Sequence, residues 1–152
     1  MKSYSPKADL SLPIPAEMLI PHRAPLRMVD RLVQFDRRNQ AGVVESVVLP
    51  ENVLVGDNGF LDPVAMAELI AQSYAALIGY EYLLQGRTVQ QGYLVGIRNI
   101  QFCGRAFRGD RLHIAVKTVK AMEEFAVGWG EVVREGQVIG FGTIKTWCPQ
   151  ES

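Results

Sequence analysis

A single carboxylate sits inside an otherwise apolar helical run, and no other feature constrains the chain as strongly. From Pro63 to Tyr80 the chain runs Val-Ala-Met-Ala-Glu-Leu-Ile-Ala-Gln-Ser-Tyr-Ala-Ala-Leu-Ile-Gly between its two ends, and Glu68 carries the only charge. A helix that is apolar on every side has to be covered on every side, so it belongs in the middle of a domain. A carboxyl buried there is expected to have a raised pKa unless partners favour its ionised form. Such a group donates or accepts a proton near neutral pH.

With 152 residues the chain is long enough for one domain with a single substantial core. We read residues 1–13, with Pro6, Pro13 and two lysines, as an extended arm, 14–148 as the domain and 149–152 as a tail. Sixteen basic residues balance sixteen acidic ones, so bulk charge gives no reason to expect nucleic acid or an anionic membrane as partner. The stretch Phe60 to Leu84 is long enough to suggest a membrane span, but Asp62, Pro63, Glu68, Gln72 and Glu81 interrupt it. Cys103 and Cys148 lack paired-ligand spacing, the two histidines are far apart, and no metal is implied. Reduced thiols and the lack of a basic-then-apolar leader lead to an expectation of a cytoplasmic protein.

Around the helix the pattern is that of strands. Arg27 to Phe35 and Gly42 to Leu49 read as a hairpin, after a short helical turn at Pro15 to Leu19. Pro50 to Leu61, with Gly56, Asp57, Asn58 and Gly59, is a loop, after which Asp62 caps the helix and Pro63 suits its first position. The helix continues to Leu84. Strands follow at Tyr93 to Phe102, Arg111 to Lys120 and Phe125 to Trp147, the last folded at Glu135-Gly136. The order is β-β-α-β-β-β-β. Gly128 with Gly130, and Gly140 with Gly142, share strand faces and are expected to let the sheet bend. A curved antiparallel sheet rolled around one long helix, an α+β architecture, satisfies both halves of the pattern.

Three motifs then resemble the hotdog-fold β-hydroxyacyl-acyl-carrier-protein dehydratases over roughly residues 19–147. Leu19-Ile20-Pro21-His22-Arg23-Ala24-Pro25 with Met28-Val29-Asp30-Arg31 is similar to the Pro-His-Arg-x-Pro segment and Val-Asp-Arg strand of that family. Glu68-Leu69-Ile70-Ala71-Gln72 resembles the run on its central helix, whose Glu is catalytic. Gly92-Tyr93-Leu94-Val95-Gly96-Ile97, with Phe102 and Gly109-Asp110-Arg111-Leu112, resembles its Gly-Ile strand and Pro-Gly-Asp turn. One departure stands out. The family's Gly-His-Phe-Pro-Gly loop reads Val55-Gly56-Asp57-Asn58-Gly59-Phe60-Leu61-Asp62, and no histidine lies between His22 and His113. A divergent group associated with aryl polyene biosynthesis shares the Pro-His segment and the helix Glu while lacking that loop, and the chain looks closer to it.

The resemblance implies elimination of water from a 3-hydroxyacyl thioester carried on the phosphopantetheine of an acyl carrier protein or on coenzyme A, with no resident cofactor. It also implies a homodimer, or a heterodimer with another hotdog subunit, in which His22 serves with Glu68 of the other subunit. The reaction needs a base at C2 and an acid at the C3 hydroxyl. Glu68 is the candidate acid, and Gln72, one turn on, either orients it or binds substrate. His22 is the candidate base, or else a histidine bonded to loop backbone. His113 alternates with Leu112 and Ile114 and is expected to face solvent. Backbone N–H groups of Val64 and Ala65 are candidate donors to the thioester oxygen, and Gly96 a place for the acyl chain to pass. Arg105, Arg108 and Arg111 are candidates for carrier or phosphate contact, or a solvated face. Asp57 and Asn58 allow a thioesterase reading, although Asp-Asn-Gly also suits an ordinary turn. A non-catalytic acyl-binding subunit is the remaining alternative.

Overall fold

The computed structural model describes residues 10–149. Its elements are β1 (Ile14–Pro15), a 3-10 turn (Ala16–Met18), β2 (Arg31–Asp36), β3 (Ala41–Val47), α1 (Val64–Leu84), β4 (Tyr93–Phe102), β5 (Arg111–Met122), β6 (Phe125–Arg134) and β7 (Gln137–Trp147). The strands make one antiparallel sheet in the order β1-β2-β3-β5-β6-β7-β4, and α1 packs against β3, β5, β6 and β7. This is the sheet-around-helix architecture expected from the pattern. Among the described residues, no helix is long and apolar enough to cross a membrane.

Asp62 starts the helix as expected: its Oδ1 accepts the Val64 N–H at 3.0 Å, and Pro63 already has helical angles (φ −53°, ψ −30°). Two details differ from the sequence reading. β1 is an added strand, two residues held by Leu32 and Arg31, too short and too dependent on a distant partner to leave a periodic signal. Residues 27–30 are a loop rather than the start of β2. Of the expected arm, residues 1–9 lie outside the described residues. Leu10 and Leu12 pack on the core, and the Tyr80 hydroxyl donates to the Leu10 carbonyl at 2.7 Å. Residues 150–152 of the expected tail are also outside.

The strand glycines do more than permit bending. Met66, Ile70 and Tyr74 recur every four residues on one face of α1 and rest on Gly140, Gly130 and Gly128. A Cβ at Gly130 would lie 2.7 Å from Ile70 Cγ2, and one at Gly128 2.7 Å from Tyr74 Cδ2. Absent side chains on the sheet thus let the helix sit low, and its three large side chains are almost completely buried. Each such burial contributes about 1.5–3 kcal/mol. Gly142 on β7 makes the same space for Ile100, turned inward where β4 is irregular between Arg98 and Gln101.

On the opposite side, Gly79 of α1 touches the backbone of Leu19, just ahead of His22. A methyl group there would overlap the Leu19 carbonyl, which belongs to the main chain and cannot rotate away. Gly79→Ala is therefore expected to lower stability by about 1–3 kcal/mol through overpacking. Gly92→Ala, whose nearest neighbour would be 3.7 Å away, is expected to stay near wild type; urea unfolding of both variants checks the contrast.

Candidate active site

Gln72 is the best-connected polar side chain at the centre of the molecule. It is 1% exposed, yet each of its hydrogen-bonding atoms has a partner. Its Nε2 donates to the Leu26 carbonyl (2.9 Å) and to Glu68 Oε1 (2.8 Å), while its Oε1 accepts the Met28 N–H (2.7 Å). The Met28 carbonyl in turn accepts from the Ser46 hydroxyl, so the loop is tied to the sheet on one side and to the helix on the other. Of the two expected roles for Gln72, this geometry supplies the orienting one.

Glu68 is half-buried rather than buried. It stands at the wall of a cavity of about 350 Å³ formed with Pro25, Leu26, Met28, Val53 and Ile97 among others. That volume lies in the range of small-ligand sites, about 300–1,000 Å³. The expectation of a carboxyl enclosed by helix and sheet is therefore corrected. The sheet covers the Met66–Ile70–Tyr74 face, whereas Glu68 lies on the half-buried stripe Glu68, Ala71, Ala75, Ile78, Tyr82. Three- and four-residue spacing puts these five on one face. The sequence reading missed this stripe.

Farther along the stripe lies a second, more enclosed cavity of about 110 Å³, lined by Ala71, Ala75, Ile78, His22, Tyr82 and Cys148 among others. The His22 Nδ1 is buried there without a hydrogen-bond partner, so no backbone bond at that nitrogen accounts for the ring's position. The Tyr74 and Tyr82 hydroxyls are pushed above the ordinary phenol range, chiefly by burial, and remain protonated at neutral pH. Leu94 lines both cavities.

Other candidates separate. The Val64 N–H is engaged by Asp62 Oδ1 and the Ala65 N–H by the Asp62 carbonyl (2.9 Å), so the helix cap occupies both expected oxyanion donors. Gly96 faces Lys145, whose Cβ is 3.5 Å from where a glycine Cβ would stand, and lines neither cavity. Asp57 is exposed, and Asn58 accepts the Phe60 N–H at 3.0 Å as an ordinary turn residue. Arg105 lies over the Phe60 ring beside the start of α1, and Arg108 over Phe107. Arg111 departs from them. It joins Arg31 on the buried Glu45, with N–O distances of 2.8 and 2.6 Å, and the largely exposed His113 Nε2 is 3.5 Å from the same carboxyl group. The three arginines are therefore not one patch.

Comparison with known proteins follows the same lines. Residues 14–152 match a family described as ApeP dehydratase, ApeP-like. The chain belongs to the ApeP-like dehydratase family. It is 28% identical over 127 residues to the 3-hydroxyacyl-acyl-carrier-protein dehydratase FabZ of Shewanella amazonensis, covering 79% of this chain and 80% of that one. With the FabZ of Brucella ovis it shares 32% over 107 residues, covering 67% and 66%. In structure it is similar to the dehydratase heterocomplex ApeI:P from Xenorhabdus doucetiae, with a TM-score of 0.83 over 91% of this chain and 93% of that one. At 20% identity that likeness establishes the hotdog fold. The ApeP-like assignment agrees with the departure in the loop at residues 55–62.

Two outcomes are expected. Gln72→Leu leaves the Met28 N–H, the Leu26 carbonyl and Glu68 without their partner and costs about 2–4 kcal/mol in urea unfolding, since each unsatisfied group costs about 1–3 kcal/mol. Glu45 is held below the usual carboxylate range first by its hydrogen bonds from Arg31, aided by the charges of Arg111, Arg31 and His113 and opposed by burial. Its ionised form therefore stabilises the fold above the unfolded value of 4.5, and this contribution disappears as pH falls through the lower folded value. Glu45→Gln should lower stability at pH 7 and flatten the decline below pH 4.5, measured by urea titrations across that interval.

Proposed function

We propose that the chain is a hydro-lyase that removes water from a 3-hydroxyacyl thioester, giving the trans-2-enoyl thioester, with the acyl group carried on the phosphopantetheine of an acyl carrier protein. The observation that carries this reading is a carboxyl group clamped by Gln72 at the wall of an apolar cavity, in a chain of the ApeP-like dehydratase family. Similarity to FabZ enzymes named for 3-hydroxyacyl-acyl-carrier-protein substrates supports the substrate class.

In this reading Glu68 Oε1 accepts from Gln72, leaving Oε2 to hold the proton offered to the C3 hydroxyl. His22 takes the C2 proton. The C2–H electrons form the C2–C3 double bond, the C3–O bond breaks, and the hydroxyl leaves as water with the Glu68 proton. The proton on His22 then returns to Glu68 through solvent. General acid–base assistance of this kind contributes about 10²–10⁴-fold. Arg105, which lines a separate recess beside the start of α1, is suited to the phosphate of a phosphopantetheine arm.

A second subunit completes the site. β4 is bonded to β7 along one edge only, and its other edge carries Leu94, Val95, Ile97 and Phe102, each 40–51% exposed. An open apolar edge of this length calls for a partner strand. Pairing there brings a neighbour to the Glu68 cavity, whose wall includes Leu94 and Ile97. We assign His22 of one protomer and Glu68 of its partner to one site, since within a single chain the two residues line separate cavities. The same separation favours, as second reading, a subunit that is active only when paired with a different hotdog chain. Asp57 lies outside both cavities, which weighs against thioester hydrolysis.

Glu68→Gln keeps an acceptor for Gln72 and removes the transferable proton. It should lower kcat for enoyl formation from a 3-hydroxyacyl carrier substrate by about 10²–10⁴-fold with little change in KM. Activity equal to wild type would remove Glu68 from the mechanism, and release of free thiol in place of enoyl product would replace dehydration with hydrolysis.

A further inference from the structure

Removing the C2 proton places negative charge on the thioester oxygen, which needs a hydrogen-bond donor where that charge develops. The start of α1 does not supply it, because Asp62 occupies the Val64 and Ala65 N–H groups. The donor has to lie beside the carbon that His22 deprotonates, which places it in the chamber of about 110 Å³ around that histidine. Most side-chain donors there are committed elsewhere. Gln72 uses its amide hydrogens on Leu26 and Glu68, the Tyr74 hydroxyl is shared with Thr118 Oγ1 at 2.9 Å, and the Thr146 hydroxyl is directed at the Ala126 carbonyl. Tyr82 differs. Among the described residues its hydroxyl is bonded to Cys148 Sγ alone, at 3.9 Å, and a sulfur atom is a weak acceptor. We propose that the Tyr82 hydroxyl donates to the thioester oxygen of the substrate held by His22 of the same chain, as a third catalytic group of the dehydration.

This rests on the dehydratase reading for the reaction, but not for the position of the hydroxyl. Tyr82 stands on the half-buried stripe of α1 that also carries Glu68, fourteen residues earlier. At a rise of 1.5 Å per residue the two are about 21 Å apart, too far to serve one reacting centre within a chain. Tyr82 therefore acts with His22 of its own protomer, across the substrate from Glu68 of the partner subunit. Its place on a helix holds the hydroxyl more firmly than the loop after α1 holds Gln90, the other amide in the chamber. The Arg87 N–H donates to the Tyr82 carbonyl at 2.9 Å, and the Arg87 guanidinium lies over the ring, 4.2 Å from its centroid. Burial pushes the hydroxyl above the ordinary phenol range, and the nearby Arg87 charge opposes that push. The proton is thus kept for donation, while the cation favours negative charge developing close by.

Tyr82→Phe removes the hydroxyl and keeps the ring. It should lower kcat for enoyl formation by about 10²–10³-fold, the usual effect of losing one such donor, with urea unfolding unchanged. A spectroscopic readout separates donation from packing: the infrared carbonyl stretch of a saturated acyl pantetheine, isotope-labelled at its thioester carbonyl and bound to each protein. That stretch should lie at higher frequency in Tyr82→Phe than in wild type, and stay at the wild-type frequency in Gln90→Leu. Mixing identifies the chain that supplies the hydroxyl. Refolded together, Tyr82→Phe and Glu68→Gln should recover about a quarter of wild-type activity, whereas Tyr82→Phe and His22→Ala should recover none. Unchanged kcat in Tyr82→Phe, a stretch that moves only in Gln90→Leu or in neither variant, or recovery with His22→Ala overturns the assignment. Absence of enoyl product from wild type with every substrate would contradict the dehydratase reading alone, since the stretch still decides whether Tyr82 meets the carbonyl.

Discussion

The close seating of α1 on β6 and β7 is the constraint on which the rest of the molecule depends. Gly128, Gly130 and Gly140 remove side chains where Tyr74, Ile70 and Met66 arrive, and the helix sinks into the sheet along that face. Once that rotation is set, the stripe from Glu68 to Tyr82 has to point away from the sheet centre, toward β4 and the His22 loop. The half-burial of Glu68 is thus a consequence of packing elsewhere. Cores filled at near-crystalline density transmit such constraints because there is little free volume to absorb a shift.

Gln72 converts that rotation into a functional geometry. A buried amide is tolerated only when its donors and acceptor are matched, and here the matches are two backbone groups of the Leu26–Met28 loop and the Glu68 carboxyl. Loop and acid are consequently positioned by one side chain. The contact between Gly79 and Leu19 fixes the same segment from the other end. Between these two anchors lies His22, with a buried ring nitrogen that the chain itself leaves unbonded. Positioning through rigid elements of this kind gives the His22 and Glu68 side chains fixed places on each protomer.

What the sequence revealed and what it concealed have the same physical origin. The helix, its Asp62 cap and the turn at Glu135-Gly136 were legible because each depends on local chemistry; Glu135 and Gly136 indeed both have positive φ, at 49° and 78°. The antiparallel sheet was legible from period and turn spacing. β1 was not, since two residues beside Leu32 acquire their conformation from a distant partner. The strand glycines were read as bends because the sequence does not show that helix side chains lie opposite them. Likewise Arg111 was grouped with Arg105 and Arg108 by sequence distance, whereas the register of β5 with β3 carries it to Glu45. Leu94 looked like any strand residue; only tertiary contact shows that it lines both cavities. The Glu68 and Gln72 pair was the part of the site most accessible to reasoning, because two polar groups one helical turn apart in apolar surroundings need each other.

The central claim is that one site combines His22 of one protomer with the Gln72-held Glu68 of its partner, and complementation measures it most directly. Two variants inactive alone, His22→Ala and Glu68→Gln, are mixed, unfolded together and refolded, and enoyl formation is measured. In a symmetric dimer with shared sites, random mixing makes half the dimers mixed, each with one intact site, so about a quarter of wild-type activity should return. Recovery at that level supports the account, and a mixture as inactive as its components, with mixed dimers demonstrated by mass, would contradict it.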